Sequence, residues 1–201
     1  MDRLIKDNGV KIFTASQPFT SLLVCSNLKE FKHEWIWQKN RGSNFVNTVR
    51  EPFKEHEEVI VFCGAGNWTY NKQMQERTES GKSRANYKVN FITASDNYRK
   101  FDDKNDINLT ELRVPSSVQK FNTQVGFHPT QKPVALIEYL IKTYTNENEL
   151  ILDFTSGSGT TGISCMNLNR KCVLIEKEPK YCEITIQRLK DKEKEIAERL
   201  F

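Results

Sequence analysis

The sequence has no C-x-x-C pair, and its three histidines lie far apart. Its five cysteines are odd in number and scattered, which is more typical of reduced intracellular thiols than of a disulfide or zinc framework. We therefore expect no metal site. No apolar run approaches the length of a membrane span, and the N-terminus has no apolar signal region. The net charge of +4 permits nucleic-acid binding but does not argue for it.

Length and composition are those of a globular domain. The chain has 201 residues, of which 37% are hydrophobic and 28% are charged. These fractions suit a soluble protein with a packed core. The length allows one α/β domain that carries an insertion.

A glycine-rich stretch in the last third of the chain carries the strongest signal. Its centre is Gly157-x-Gly159-x-x-Gly162. The apolar run 150–152 precedes it and predicts a buried strand, and residues 160–168 can form a helix. In this context glycines allow a tight turn and a close approach of the backbone to a ligand. The helix N-terminus then offers free N–H groups to an anionic group.

A carboxylate follows at a distance that fits ribose binding. The second apolar run, 172–175, ends in Glu176, about 20 residues beyond the first glycine. The spacing predicts an adenosine-type ligand in an α/β fold and does not say which one. These residues alone leave two alternatives: a dinucleotide as the ligand, and a glycine turn with a purely structural role.

Two further segments resemble motifs of a known protein family, and this resemblance narrows the choice of ligand. Residues 128–133 read His-Pro-Thr-Gln-Lys-Pro, and residues 153–159 read Asp-Phe-Thr-Ser-Gly-Ser-Gly. They resemble motifs X and I of the β-class amino-methyltransferases of DNA, which methylate exocyclic nitrogens of adenine or cytosine. Glu176 looks like the acidic residue of motif II. The resemblance implies S-adenosylmethionine as the cofactor and a cytoplasmic protein encoded by a bacterium or a phage.

The resemblance also implies a fold and a site. The fold is the α/β, Rossmann-like fold of S-adenosylmethionine-dependent methyltransferases, with a mostly parallel sheet. The N–H groups of Thr130–Lys132 precede a predicted helix and are expected near the methionine carboxylate of the cofactor. The expected cofactor-binding residues are His128, Thr130, Gln131, Lys132, Asp153, Phe154, Gly157, Gly159, Thr160 and Glu176.

Hydrophobic periodicity predicts the other elements. Trp35 and Trp37 alternate on one face of a strand, where core packing is favoured over base stacking. The predicted strands are Val10–Ala15, His33–Gln38 and Glu57–Cys63, the predicted helices begin at Pro18, Pro133 and Pro179, and a polar loop is predicted over Lys39–Phe45.

In residues 64–126, glycines, a run of basic side chains and a polar stretch replace the hydrophobic pattern of the segments on either side. The resemblance places the target-recognition region here, as an insertion between a later catalytic part (1–63) and the cofactor-binding region (127–201) of one methyltransferase domain. Basic side chains in it would contact phosphates of double-stranded DNA. A solvated loop insertion is the alternative. The candidate DNA-binding residues are Lys72, Arg77, Lys82, Arg84 and Lys88.

One expected motif is absent from the sequence. The resembled family grips the target amine with Asp-Pro-Pro-Tyr or a close relative, and no Pro-Pro pair occurs in this chain. The same missing part supplies two strands in the family, one of them between the strand ending at Asp153 and the strand Val10–Ala15. Either those strands close up, or a separate polypeptide with the missing strands fills the gap. No catalytic residue is therefore assigned, and we expect a truncated or split methyltransferase that is inactive alone.

Three functions follow from these observations. The first is S-adenosylmethionine-dependent methylation of a DNA amine, with adenine favoured over cytosine, on a base that leaves the helix. The second is an inactive remnant that binds cofactor or DNA. The third is an NAD-linked Rossmann enzyme, which the glycine spacing permits and the segment 128–133 disfavours.

Overall fold

A computed structural model describes residues 3–64, 66–85 and 111–199 of the chain. The chain divides into two compact units, one formed by Met1–Asn71 with Ser116–Phe201 and the other by Lys72–Pro115. The strands are β1 (Val10–Ala15), β2 (Phe31–Ser43), β3 (Lys54–Cys63), β4 (Gln75–Glu76), β5 (Leu112–Arg113), β6 (Val118–Lys120), β7 (Leu150–Asp153) and β8 (Lys171–Leu174). The helices are α1 (Phe19–Ser26), α2 (Glu79–Ala85), α3 (Val134–Tyr144), α4 (Thr160–Asn167) and α5 (Pro179–Arg199).

The larger unit contains two sheets. In the first, the strand order is β1-β3-β2-β6. β3 is antiparallel to both β1 and β2, and β6 is parallel to β2, so three of the four strands run in one direction. In the second sheet, β7 and β8 are parallel and α4 connects them. The predicted α/β fold is confirmed. The smaller unit contains α2 and the short antiparallel pair β4–β5.

β3 lies between β1 and β2 in the first sheet, and both of its faces are buried. Val59 and Val61 face a core formed with Trp35, Trp37 and α3, whereas Ile60 and Phe62 face α1. The run 59–63 is no more than 3% exposed. A strand buried on both faces reads as a continuous apolar segment, and the sequence shows one at this position.

The two tryptophans of β2 belong to this core, as predicted. Trp35 is 5% exposed and Trp37 is 2% exposed. Their indole N–H groups are satisfied, because Trp35 donates to the Tyr144 hydroxyl (2.6 Å) and Trp37 donates to the carbonyl of Phe121 (2.8 Å). Buried tryptophans require such partners. Because both rings are buried, neither has a free face for base stacking here.

The polar loop predicted over Lys39–Phe45 is wrong in most of its length, because β2 continues to Ser43. Lys39 forms an ion pair with Glu57 across the strands, which favours an extended conformation. The reversal begins at Asn44, which has a left-handed backbone (φ 68°) and whose side-chain oxygen accepts the N–H of Lys54 (2.9 Å). A 3-10 helix, Phe45–Val49, follows.

The facing edges of the two sheets are β1 and β7. In the described part of the chain β1 pairs only with β3, and β7 pairs only with β8. The two edge strands approach through side chains, since the rings of Phe13 and Phe154 lie 6.4 Å apart. Of the two arrangements that the sequence left open, direct pairing of these strands is therefore not the one adopted. None of the described helices has the length and apolar character needed to cross a membrane.

Candidate cofactor site

A cavity of about 490 Å³ lies between the edge strands β1 and β7, with α3 and the loop after β7 as its other walls. This volume is typical of small-molecule sites. All of the predicted cofactor residues except Gly159 line it. Ligands of α/β proteins bind at the carboxyl ends of the strands, and the loop 154–159 follows such an end.

The glycine loop turns sharply at two residues. Gly157 (φ 54°) and Gly159 (φ 76°) both have a left-handed backbone conformation, which residues other than glycine rarely adopt. The N–H of Gly159 donates to the carbonyl of Ser156 (2.8 Å), which closes the turn. α4 then begins at Thr160, which lines the cavity together with Thr161.

The Glu176 carboxylate lies against this loop. Its Oε2 accepts the N–H of Gly157 (2.7 Å), and its Oε1 accepts the N–H groups of Lys177 and Glu178 (both 2.9 Å). Hydrogen bonds from the backbone of Glu178 and Gly157 lower the pKa of the Glu176 carboxyl group. An ionised acceptor is thus held at the edge of the cavity, as a ribose diol requires.

Asp153 organises the start of the loop. Its carboxylate accepts the N–H of Thr155 (3.1 Å) and the hydroxyl of Thr161 (2.5 Å), which ties β7 to α4. The Thr160 hydroxyl is different. It is buried, it lines the cavity, and it has no hydrogen-bond partner within residues 3–64, 66–85 and 111–199. A buried polar atom without a partner is costly, and the described part of the structure shows no group that offsets this cost.

The segment 128–133 forms another wall. The His128 ring packs on Tyr181 with centroids 4.2 Å apart, and its Nδ1 accepts the N–H of Thr130 (3.2 Å). The N–H of Gln131 donates to the carbonyl of His128 (3.1 Å). Two of the three N–H groups predicted to hold a carboxylate therefore have acceptors inside their own turn, and a ligand would have to displace these bonds.

Lys132 points across to the first sheet. Its ammonium group is 3.1 Å from Glu57, which also pairs with Lys39. Burial opposes ionisation of Glu57, but the hydrogen bond from Lys39 and the charge of Lys132 outweigh it and lower the pKa of this carboxyl group. Lys132 thereby connects the segment 128–133 to β3, a role that the sequence did not indicate.

Sequence reasoning missed the part of the site that comes from β1. Ile12, Phe13 and Thr14 line the cavity although they lie about 140 residues before the glycine loop. It also missed Thr185 and Arg188 of α5, which donate hydrogen bonds to carbonyl groups of the loop and do not line the cavity. The α5 pattern of apolar positions predicted a packed helix but gave no sign of these two contacts.

The candidate DNA-binding residues lie in the smaller unit. Lys72 is exposed, and the Arg77 guanidinium donates to the carbonyl of Leu112 (3.0 Å). Lys82 pairs with Glu79 (3.1 Å) and Glu111 (3.0 Å), so part of its charge is neutralised. The side chain of Arg84 and the whole of Lys88 lie outside the described residues. The set stays a prediction.

Known proteins resemble this chain over most of its length. The family model described as DNA methylase, for N6 and N4 amino-methyltransferases, matches residues 1–187. The chain belongs to the DNA methylase family. The Type II methyltransferase M2.MboI of Moraxella bovis is 31% identical to the chain over 183 residues, which cover 81% of the chain and 66% of that protein. The DNA adenine methyltransferase YhdJ of Escherichia coli is 26% identical and covers 93% of the chain.

Solved structures show the same fold. The M1.HpyAVI–SAM complex has a TM-score of 0.64 and 25% identity, covering 94% of this chain and 78% of that chain. The PvuII cytosine-N4-specific DNA methyltransferase has a TM-score of 0.59 at 15% identity, which supports the fold alone. The predicted family and its cofactor, S-adenosylmethionine, are confirmed. The chain spans at most 66% of the length of the first curated relatives that it matches.

Proposed function

We propose that the chain binds S-adenosylmethionine in the cavity between β1 and β7. The observation that carries this is that an ionised acceptor, Glu176, lines one cavity of suitable volume together with the glycine loop that it holds. Glu176 would accept the ribose hydroxyls. The segment Thr130–Lys132 would hold the methionine end. When bound, the cofactor supplies an electrophilic methyl group, and the residues of the chain bind and orient it.

Calorimetric titration with S-adenosylmethionine, its demethylated product and NAD tests this assignment. We expect both sulfur compounds to bind and NAD to bind more weakly. Tighter binding of NAD would overturn the choice of cofactor.

The acceptor we propose is the exocyclic amine of a DNA adenine. YhdJ, which aligns with nearly the whole chain, is named a DNA adenine methyltransferase. Residues 64–126 would form the target-recognition insertion, with Lys72, Arg77, Lys82, Arg84 and Lys88 on phosphates. The separate compact unit Lys72–Pro115 supports an insertion of about this extent. No catalytic residue is assigned within the chain.

We further propose that the chain alone does not transfer methyl groups. It contains no Pro-Pro pair, and acceleration requires interactions that exist in the transition state rather than cofactor binding alone. Two features favour completion by another polypeptide segment. The first is that, among the described residues, no strand pairs with the outer edge of β1 or with the outer edge of β7. The second is one face of the β7–β8 sheet, where Leu150, Leu152, Val173 and Ile175 are all exposed, although parallel sheets are covered on both faces.

The occupant would add a strand between β1 and β7, carry Asp-Pro-Pro-Tyr, and cover the exposed apolar face. The assay is transfer of tritiated methyl groups to mixed-sequence duplex DNA, with and without such a polypeptide. We expect transfer only with it, and a mutant polypeptide with Ala in place of the Asp serves as the matched control. Turnover by the chain alone would refute the proposal. No turnover in either case, with intact cofactor binding, would favour a binding module.

A further inference from the structure

α5 contacts the glycine loop at two points on consecutive turns. The Thr185 hydroxyl donates to the carbonyl of Gly157 (3.0 Å). The Arg188 guanidinium donates to the carbonyl and to the hydroxyl of Ser158, the latter at 3.2 Å. Residues three apart on a helix share a face, so a single face of α5 carries both contacts.

The approach is close enough to require glycine in the loop. A Cβ atom added at Gly159 would lie 2.6 Å from the Cγ2 of Thr185, well inside van der Waals contact. Thr185 is 7% exposed and Ser158 is 3% exposed, so these contacts are shielded from water. α5 thus holds the carbonyl groups of Gly157 and Ser158 through two residues that do not line the cavity.

Arg188 also contacts the other cofactor segment. Its guanidinium lies over the ring of Phe127, 4.5 Å from the centroid, in a cation–π arrangement. Phe127 immediately precedes His128, which lines the cavity. Burial lowers the pKa of Arg188, yet arginine stays charged at any ordinary pH. One side chain therefore joins the glycine loop to the segment 127–133.

We propose that Arg188, assisted by Thr185, is a positioning residue that sets the distance between the two cofactor-binding segments. This rests on the proposed S-adenosylmethionine site and adds a residue that lies just beyond the matched range 1–187 of the family model. Arg188 does not itself line the cavity. It acts through Ser158 and Phe127.

The first experiment measures cofactor affinity by calorimetry for Arg188→Ala, Arg188→Lys and Arg199→Ala. Arg188→Ala should weaken binding about tenfold or more, because a hydrogen bond from a charged group is lost. Arg188→Lys should recover part of this, since lysine keeps the charge but not the planar fork. Arg199 is the control: it lies on the same helix and pairs with Glu195. Wild-type affinity in Arg188→Ala would overturn the proposal.

The second experiment does not depend on the cofactor. Amide hydrogen exchange of the apo protein should accelerate at 156–159 in Arg188→Ala and stay unchanged in β3 and in the first turns of α5. Loss of protection along the whole of α5 would overturn positioning, because Arg188 would then hold the helix rather than the loop.

Thr185→Val and Thr185→Ser form a matched pair should Arg188→Ala fail to fold. Only valine removes the bond to Gly157, so only valine should accelerate exchange of the loop. Equal exchange in the two variants would overturn the role of Thr185. If the wild-type chain binds no S-adenosylmethionine, the proposed function fails, and the exchange experiment alone decides the positioning of the loop.

Discussion

The Glu176 carboxylate accepts the backbone N–H of Gly157 at 2.7 Å, 19 residues earlier in the chain. The bond joins the end of β8 to the glycine loop that follows β7. An acidic residue in this position is usually described by what it does for a ribose. Here it also holds the loop, so the carboxylate that we propose for recognition of the ligand contributes to the shape of the site as well.

Removing the Glu176 charge should weaken cofactor binding. We expect Glu176→Ala to lower the affinity for S-adenosylmethionine about tenfold, because the ribose hydroxyls lose a charged acceptor. Glu178→Gln is the control, since it removes a nearby exposed charge but leaves the Glu176 carboxylate in place. Calorimetry on both variants and the wild type measures the difference. Equal affinities for Glu176→Ala and the wild type would remove Glu176 from the ribose.

The Tyr144 hydroxyl should matter more to stability than the neighbouring hydroxyl of Tyr139. Tyr144 lies 2.6 Å from both the Trp35 indole nitrogen and His33 Nε2, whereas the buried Tyr139 hydroxyl has no partner in the described part of the chain. Tyr144→Phe leaves buried polar groups unpaired and should lower the free energy of unfolding by about 1–3 kcal/mol. Tyr139→Phe should be neutral or stabilising. Urea denaturation of the two variants tests this, and equal losses would contradict it.

Burial of His33 predicts a dependence of stability on pH. Burial lowers the pKa of His33 below its ordinary value of 6.5, so the unfolded chain binds the proton more readily than the folded one. The free energy of unfolding should therefore fall as pH drops through about 6.5 toward the lower pKa of the folded state. Urea denaturation at a series of pH values measures this. His33→Asn should flatten the curve in that range, and an identical curve would place the titrating group elsewhere.

The basic residues of the smaller unit should control the salt dependence of DNA binding. Replacing Lys82, Arg84 and Lys88 by Ala should weaken binding to duplex DNA and reduce the slope of log K against log salt by roughly one for each lost phosphate contact. The structure lowers the expectation for Lys82, because Glu79 and Glu111 already pair with it. Replacing Lys190 and Lys194 of α5 is the control for net charge. An unchanged slope in the triple variant would move the DNA surface elsewhere.

The sequence predicted the elements with local patterns well. β1 was predicted with its observed bounds, and β3, β7, β8 and α3 agree within a few residues, because apolar alternation and proline or glycine boundaries are local properties. The glycine loop, Asp153 and Glu176 also lie together, as their spacing within one β-α-β unit predicted, and their role in cofactor binding stays a prediction. In each case the residues that make the structure lie close together in sequence.

The contacts that the sequence did not reveal are those between distant segments. Lys132 with Glu57 and Arg188 with Ser158 depend on how elements pack, and charged residues on a helix or in a loop look the same whether or not a partner lies opposite. The loop predicted over Lys39–Phe45 failed for the same reason, because the cross-strand pair of Lys39 and Glu57 extends β2. Local polarity favoured a loop, and a contact 18 residues away overrode it.

The bond between Trp35 and Tyr144 spans 109 residues of the chain. At the usual rates of protein synthesis, roughly 5–20 s separate the emergence of the two residues from the ribosome. Until α3 arrives, the apolar face of β2 and β3 that carries Trp35, Val59 and Val61 lacks Leu136, Leu140 and Tyr144, which complete its core. The nascent N-terminal sheet is therefore a surface on which chaperones and aggregation compete, and translation speed between β3 and α3 becomes a determinant of the yield of folded protein.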